Sequence, residues 1–223
     1  MRPYVLLSAA MSADGYIDDA SPRRLVLSGP EDLDRVDEVR AGCDAIMVGA
    51  GTIRSDNPRL LVRSEQRRER RAAAGLPPSP AKVTITASGE LDPSGRFFAD
   101  DGTQKLVYAP EPAAARLRRE LGRRAAIIPI MTGTSLAAVL ADLPGRGIGR
   151  LMIEGGASLL GQALSLGLAD ELQLGVAPVF VGDPAAPRLL ARLDRSVRMV
   201  LAGTSQAGDV AVLRYLPGGQ PGT

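Results

Sequence analysis

The sequence predicts an α/β fold in which a mixed, mostly parallel sheet is flanked by helices and ends in an antiparallel C-terminal hairpin. Two observations predict this fold class. Short runs rich in Val, Ile and Leu alternate along the chain with segments whose apolar residues recur every three or four positions. The last two apolar runs are separated by Thr204–Gly208, a loop length that suits a hairpin.

Nine runs have the length and composition of strands. The predicted strands are Tyr4–Ala10, Ala45–Val48, Lys82–Thr86, Lys105–Ala109, Ala126–Ile130, Arg150–Ile153, Glu171–Ala177, Arg198–Gly203 and Asp209–Tyr215. The first of these, with Arg2 before it, also resembles a short secretory signal. Because its apolar stretch is short and carries little positive charge, we predict a strand there.

Helices are predicted between the strands. Ser28-Gly29-Pro30-Glu31 has the spacing of a capping box, which predicts a helix that ends near Gly42. Ala113–Leu121, Ser135–Leu143 and Ala157–Leu166 carry apolar residues at helical spacing. Each of these helices is therefore predicted to pack one face against the sheet.

Length and charge limit the domain count and the partners. The chain has 223 residues, with 27 Lys and Arg against 25 Asp and Glu, so its basic pI reflects the number of arginines. The arginine-rich segment Arg63–Gly75 is predicted to be a solvated helical turn before a stiff proline connector. No apolar run approaches the roughly 20 residues that span a bilayer. We expect one domain over residues 1–223 with a flexible tail at 217–223, and neither a nucleic-acid nor a membrane partner.

The residue types exclude several chemistries. Histidine is absent and Cys43 is the single cysteine, so a His/Cys zinc site, an intrachain disulfide and a Ser-His-Asp triad are impossible. Acid–base work must fall to carboxylates, Lys, Tyr, hydroxyls or water, which favours a reaction whose chemistry a cofactor supplies. A single unpaired thiol suits the reducing cytoplasm.

Three segments place small or polar residues just after a predicted strand, where ligands of open α/β sheets bind. Ser8–Ile17 runs from a strand into a turn, and Ile46–Leu60 follows a buried strand with two glycines. Leu151–Leu160 follows a strand with an acidic residue and two glycines at a predicted helix start, which leaves N–H donors open to a phosphate. Each segment alone also fits an ordinary strand end and turn, and none matches Gly-x-Gly-x-x-Gly or a Walker motif.

In combination, these motifs resemble a known family. The order and spacing of Met11-Ser12-Ala13-Asp14-Gly15, Arg40–Thr52, Asp56–Leu60, Ile153–Gly156 and Leu168–Leu172 are similar to those of the reductase of riboflavin biosynthesis. The resemblance covers nearly the whole chain and implies a dihydrofolate-reductase-like fold. Bacterial members are often fused to a zinc deaminase, whose His and Cys ligands this chain does not supply. A reductase-only form is therefore expected.

The resemblance also implies site residues by position. It implies NADPH contacts at Ala10, Val26, Thr52, Asp56 and Ser88. It implies that the NADPH phosphates are cradled by Gly155, Gly156, Ala157, Ser158, Leu159, Leu160 and Gly161. It implies substrate contacts at Arg24, Arg40, Leu60, Arg63 and Glu154. No metal ligand is implied.

The implied reaction is hydride transfer from NADPH to C1′ of a phosphorylated ribosylamino-pyrimidine, which opens the sugar to a ribitylamino chain. Arg40 and Arg63 would grip the ribose phosphate as charged donors, and Glu154 would hold sugar hydroxyls or the pyrimidine amine. Asp56 is the predicted catalytic residue, which manages a proton or orients groups; its alternative role is a plain turn cap. Family members are commonly homodimers, and Gly175–Val181 is either an interface strand or a buried core strand.

The chain also departs from the family pattern. Many bacterial members carry Lys at the position of Ser8 and Trp at the position of Val26, and Arg24 aligns through a loop. A dihydrofolate or other pterin reductase is therefore an alternative, because pyrimidine and pterin rings present similar amidine edges and the predicted helix carries Asp34 and Asp37. A second alternative is a non-catalytic nucleotide-binding protein that kept the scaffold.

Overall fold

All nine predicted strands are present in the computed structural model of the protein, which describes residues 1–21, 25–131, 135–190, 193 and 195–218. Their ends differ from the predicted ends by a few residues. The strands are β1 (Tyr4–Ser12), β2 (Ala45–Gly49), β3 (Ala81–Ile85), β4 (Lys105–Ala109), β5 (Ala126–Pro129), β6 (Arg150–Gly155), β7 (Glu171–Ala177), β8 (Met199–Ala207) and β9 (Val210–Pro217). Pro217, predicted to begin a flexible tail, therefore ends the last strand.

These strands form one sheet in the order β5-β4-β3-β2-β6-β1-β7-β9-β8. The strands from β5 to β7 in this order are parallel, and β9 and β8 are antiparallel. The predicted mixed sheet with a C-terminal hairpin is confirmed.

The prediction that Thr204–Gly208 forms the hairpin loop was wrong. Thr204 pairs with Leu213 and Ala207 pairs with Val210, so the polar residues of this segment belong to β8. Only Gly208 and Asp209 remain for the turn. Gly208 has φ +59°, the left-handed conformation that two-residue hairpin turns need and that glycine adopts without strain.

Six α-helices connect the strands in the described part of the chain. They are α1 (Pro30–Ala41), α2 (Ala50–Asp56), α3 (Glu65–Ala73), α4 (Glu111–Leu121), α5 (Leu136–Asp142) and α6 (Ala157–Ser165). The predicted capping box at α1 was wrong, because Gly29 and not Ser28 is the N-cap residue and no side chain caps this end. Pro30, whose fixed φ suits the first helical position, sets the start of the helix one residue later than the box requires.

The arginine-rich segment is less solvated than predicted. Its nine-residue helix, α3, begins at Ser64, whose hydroxyl accepts the N–H of Arg67. The Arg71 side chain is buried and donates to the carbonyls of Ala41, Cys43 and Pro77. These contacts attach α3 to the C-terminal end of α1 and to the start of β2, so the segment is structural.

The helices cover both faces of the sheet. Residues alternate along each strand: Ile46 and Val48 of β2 pack with α2 and α4, whereas Met47 packs with α5 and α6. Helix α1 lies on the same face as α2 and contacts Leu6 and Met152. No helix of the described residues is long and apolar enough to cross a membrane. Because β3, β2, β6 and β1 are neighbours and parallel, the loops that follow them meet at one edge.

Candidate active site

An open cleft of about 1450 Å³ lies along the carboxyl ends of β1, β2, β3 and β6. Its floor and walls come from the loops that follow these strands and from the segment before α1. Residues from each of the three predicted strand-end segments line it, including Ala10, Gly49 and Glu154. The sequence motifs therefore converge at this edge of the sheet.

A glycine pair separates β6 from α6 at the centre of the cleft. Gly156 is the N-cap residue of α6 and has φ +87°, a conformation that other residues adopt only with strain. A Cβ atom there would lie 3.5 Å from the Cα of Gly49 and 3.6 Å from Thr52 Oγ1. The loops after β2 and β6 therefore pack closely, and the start of α6 stays uncovered by any capping side chain.

A buried ion pair lies beside these glycines. Nε and Nη2 of Arg40 on α1 donate to the two carboxylate oxygens of Glu154, each at 2.5 Å. Their side chains are only 13% and 10% exposed. Burial by itself lowers the pKa of Arg40, but the Glu154 carboxylate outweighs burial and raises the pKa above its ordinary value. A charged, two-pronged pair thus forms part of the cleft wall.

The loop between α2 and α3, residues 57–64, lines the cleft and is held by Asp37. This buried carboxylate on α1 accepts the backbone N–H groups of Arg63 at 2.6 Å and Ser64 at 3.0 Å, and it also pairs with Arg67 at 3.1 Å. Burial raises the pKa of Asp37, but these hydrogen bonds outweigh it and hold the pKa below its ordinary value. Asp37 is therefore ionised and occupied with the loop.

The 57–64 loop also contains two left-handed residues that are not glycine. Asn57 has φ +42° and Leu60 has φ +51°, and the Leu60 side chain is buried against the apolar cluster below α2. Such conformations persist only where the surrounding contacts enforce them, and they concentrate at functional sites. Leu61 supplies one such contact, since its carbonyl accepts a hydrogen bond from Nη1 of Arg40 at 3.2 Å.

The same loop presents two arginines to the cleft. The side chains of Arg59 and Arg63 line it, and both residues are exposed. Within the described residues, neither guanidinium has a hydrogen bond or an ion pair with the protein. A cation that has no internal partner and lines a cleft is suited to an anionic ligand.

Asp56 is the last residue of α2 and lines the cleft. Its Oδ1 accepts a hydrogen bond from the Ser55 hydroxyl at 2.7 Å. The helix end itself is closed by the backbone, because the N–H of Asn57 donates to the carbonyl of Ile53 at 3.0 Å. The carboxylate is therefore placed where a ligand can contact it, and its catalytic role stays a prediction.

Comparison with known proteins now gives the family. Residues 3–213 match the family model of the RibD C-terminal domain. The chain belongs to the RibD C-terminal domain family. It is 37% identical to the 2,5-diamino-6-ribosylamino-4(3H)-pyrimidinone 5′-phosphate reductase of Archaeoglobus fulgidus, over 84% of this chain and 85% of the relative. It is 35% identical to the reductase of the same name from Methanothermobacter thermautotrophicus, over 96% of this chain and 98% of the relative.

A solved structure shares the fold. The pyrimidine reductase-like protein of Corynebacterium diphtheriae has a TM-score of 0.80 and 25% identity, and the match covers 98% of this chain and 93% of that one. The predicted dihydrofolate-reductase-like fold is confirmed. The chain is a RibD-type reductase, an oxidoreductase of riboflavin biosynthesis.

The cleft of this RibD-type reductase gathers most of the predicted site residues. Those that line it are Ala10, Val26, Arg40, Thr52, Asp56, Leu60, Arg63, Ser88, Glu154, Gly155, Gly156, Ala157, Ser158, Leu159 and Leu160. Gly161 is buried on the inner face of α6 and does not line the cleft, whereas the next residue of the helix, Gln162, does. Arg24 lies outside the described residues. The roles of all these residues in binding and catalysis stay predictions.

Some predicted features have structural roles. Asp14 accepts the N–H groups of Val181 and Gly182, so the Asp14-Gly15 turn anchors a distant loop. The residues Gly175–Ala177 lie in β7 between β1 and β9, so the core-strand alternative is correct for them.

The pterin alternative loses its support in the RibD-type reductase. Asp37 is occupied with the 57–64 loop, and Asp34 is exposed and pairs with Arg67 at 2.6 Å. Neither carboxylate is free to approach a ring in the cleft.

Sequence reasoning missed several arginines of the RibD-type cleft. Arg54, Arg59, Arg68 and Arg96 also line it. Arg54 would have been predicted if α2 had been recognised, because Arg54 lies three residues after Gly51 and therefore on the same face of that helix. The helix is only seven residues long, and its periodicity is too short to read from sequence.

Proposed function

We propose that this RibD-type reductase uses NADPH to reduce a ribosylamino-pyrimidine 5′-phosphate to its ribitylamino form. The observation that carries the proposal is that one cleft contains the Arg40–Glu154 pair, the glycine loop at the start of α6 and Arg63, whose guanidinium has no partner among the described residues. The names of relatives at 35% and 37% identity support this substrate class.

The uncapped start of α6 fits the phosphates of a dinucleotide. Within the described residues, the backbone N–H groups of Ala157 and Ser158 have no acceptor, whereas those of Leu159 and Leu160 donate to the carbonyl of Gly156. Both free N–H groups belong to residues that line the cleft. Two free donors at the positive end of a nine-residue helix form a binding site for an anion.

The substrate groups are assigned to the charged residues by their chemistry. Arg63 binds the 5′-phosphate, because a guanidinium without an internal partner gives charge-assisted hydrogen bonds to phosphate. Glu154, held by Arg40, accepts hydrogen bonds from the sugar hydroxyls or the pyrimidine amine. When the dinucleotide and the substrate are held side by side in this way, their reacting atoms already lie close together. The reaction then needs no further loss of translational and rotational freedom.

The reaction breaks the bond between C1′ and O4′ of the ribose. NADPH, when bound, supplies the hydride that adds to C1′. A proton must reach O4′, and with no histidine in the chain we assign its delivery, or the orientation of the opening sugar, to Asp56. The chain then holds the ribitylamino product through the same phosphate contact.

An assay with paired substrates tests this function. NADPH oxidation is measured with the phosphorylated ribosylamino-pyrimidine, with the same compound lacking its phosphate, and with dihydrofolate. We expect turnover of the first, a much higher KM for the second and no turnover of dihydrofolate. Turnover of dihydrofolate instead, or tight NADPH binding without turnover of any compound, contradicts the proposal.

We also propose a homodimer located in the cytoplasm. The exposed large apolar side chains of the described residues include Phe180 after β7 and Val200 and Leu201 on the edge strand β8. Exposed apolar groups beside an unpaired strand edge favour association. Sedimentation equilibrium checks this, and a monomer at all protein concentrations excludes the dimer.

A further inference from the structure

A second cavity, of about 780 Å³, lies at the amino ends of β4 and β5. It is bounded by Lys105 at the start of β4, by the loop 99–103 that precedes this strand, and by Arg123 and Arg124 after α4. The second cavity and the active-site cleft share no lining residue. Its volume is in the range of sites that bind small molecules.

Positive charge predominates on the wall of the second cavity. The charged residues that line it are Lys105, Arg123, Arg124 and Asp100, which gives three cations against one carboxylate. Lys105 is buried and pairs with Asp101 at 3.2 Å, so its charge is already compensated by the protein. The two arginines therefore provide the charge that is available to an anion.

These two arginines leave most of their donors unused. Within the described residues, the guanidinium of Arg124 makes one hydrogen bond, from Nη1 to the carbonyl of Pro93 at 2.8 Å. Arg123 is exposed, and no described residue accepts a hydrogen bond from its guanidinium or forms an ion pair with it. A guanidinium offers five N–H donors and can bind two oxygens of one phosphate group. The two arginines are therefore suited to a phosphate.

The loop before β4 adds backbone donors. In the part of the chain that the structure describes, the N–H groups of Asp100, Asp101 and Gly102 donate to no protein acceptor, and Asp100 and Gly102 line the cavity. Gly102 has φ +70°, and successive N–H groups in such a turn form a concave site for an anion. Asp101 holds the loop in place, because it pairs with Lys82 at 2.5 Å and accepts the N–H of Thr103 at 3.2 Å.

Part of the wall is apolar. Pro93, Phe98 and Leu121 line the cavity, and Phe98 and Leu121 belong to the apolar cluster below α4. A phosphate ion alone would leave these side chains in contact with water. A phosphate monoester with a compact apolar group would cover the apolar wall and reach the arginines at the same time.

We propose that the second cavity binds a small phosphate monoester that carries an apolar group. The phosphate, with a charge of about −1.5 to −2 at neutral pH, is bound by Arg123, Arg124 and the N–H of Gly102. The apolar group contacts Phe98 and Leu121. The site is separate from the residues assigned to hydride transfer, and the inference does not depend on the proposed function.

An NMR titration with phenyl phosphate tests the inference, and phenol is the matched probe that lacks the phosphate. The amide signals of Gly95 and Gly102 report on the second cavity, which both residues line, and that of Gly156 reports on the active-site cleft. Phenyl phosphate should shift the signals of Gly95 and Gly102 to saturation. Phenol should bind there at least about tenfold more weakly, because it forms no charged hydrogen bond.

Arg123→Gln removes one charge from the second cavity. The dissociation constant of phenyl phosphate measured at Gly102 should rise about tenfold or more, while that measured at Gly156 stays within about twofold. Arg119→Gln is the matched control and should bind as the wild type does. Arg119 is also an exposed arginine of the same region, on α4, but it lines neither cavity.

Several outcomes would overturn the inference. Phenyl phosphate might shift neither Gly95 nor Gly102, or phenol might bind there as tightly as phenyl phosphate. Arg123→Gln might leave the dissociation constant at Gly102 unchanged, or Arg119→Gln might raise it equally. A rise of equal size at Gly102 and Gly156 in Arg123→Gln would indicate a change in the fold and would also contradict the assignment.

Discussion

The two edges of the sheet differ in how their charged side chains are paired. At the amino ends of the strands, Lys82 is fully buried, donates to Asp101 at 2.5 Å and to the carbonyl of Phe97 at 3.2 Å, and shares Asp101 with Lys105. Arg71 at the same edge donates only to backbone carbonyls. The donors of these buried cations are used by the protein itself.

At the carboxyl ends, the balance is incomplete. Arg40 and Glu154 neutralise each other, but Arg59 and Arg63 have no internal partner among the described residues. Arginines occur at both edges, so their presence alone does not mark a binding site. The difference teaches that an arginine indicates a ligand when it lines the cleft and the fold leaves its donors unused.

The largest expected effect is on stability, at the amino edge. Lys82→Met removes one member of a buried charged cluster and leaves Asp101 with Lys105 alone, so we expect a loss of about 3 kcal/mol in the free energy of unfolding. Urea denaturation measures it. KM for both substrates should be unchanged. A change in KM would mean that the two edges are coupled, and the comparison between them would fail.

At the carboxyl edge, Glu154→Gln should act mainly on activity. The amide keeps the shape of the side chain but removes the charge that compensates the nearly buried Arg40, so the pair no longer orients the substrate. We expect kcat/KM for the ribosylamino-pyrimidine to fall about 100-fold. The dissociation constant of NADPH, measured by fluorescence titration, serves as the control. If kcat/KM falls and the dissociation constant of NADPH rises with it, the pair has a structural role instead.

Arg63→Ala should weaken substrate binding without affecting the fold. Its guanidinium has no partner in the part of the chain that the structure describes, so stability should change by less than about 0.5 kcal/mol. KM for the phosphorylated substrate should rise roughly tenfold or more, and KM for the compound without phosphate should not change. Steady-state kinetics with both compounds measure these two KM values. Arg119→Ala is the matched control, because Arg119 is an exposed arginine on α4 outside the cleft. Equal effects on the two compounds would remove the phosphate from contact with Arg63.

The smallest effect is a dependence of stability on pH that both edges share. Burial raises the pKa of Asp37 and of Asp101, but hydrogen bonds from the 57–64 loop and from Lys82, respectively, outweigh it, and both pKa values lie below the ordinary range. The unfolded value is about 3.9. The stabilisation is therefore fully present above about pH 4 and is lost as pH falls through the folded values.

Urea denaturation between about pH 6 and about pH 3 measures this loss, whose slope is at most about 1.4 kcal/mol per pH unit for each carboxyl. Asp37→Asn and Asp101→Asn should each make the decline shallower. A decline of the same slope in both variants would assign it to other groups.

Much of the fold was predictable because its signals are local. Buried strands of a parallel sheet are apolar runs, and all nine were recognised with ends a few residues off. The errors came where neighbours in space decide. The polar segment from Thr204 to Ala207 looks like a loop, yet it is part of β8, because an edge strand needs no apolar face. Pro30, rather than the capping pattern around Ser28, sets the start of α1.

The sequence alone determined the family, the edge of the sheet where the motifs meet and the chemistries that an absent histidine excludes. Only the tertiary structure decided which charges are available to a ligand. Arg40 and Glu154 are 114 positions apart in the chain and form a pair. Asp37, by contrast, is used by the 57–64 loop, and the Arg63 guanidinium has no partner among the described residues. The reason is physical. A charged side chain is neutralised by the residues that the fold brings beside it, and the sequence around the side chain does not identify those residues.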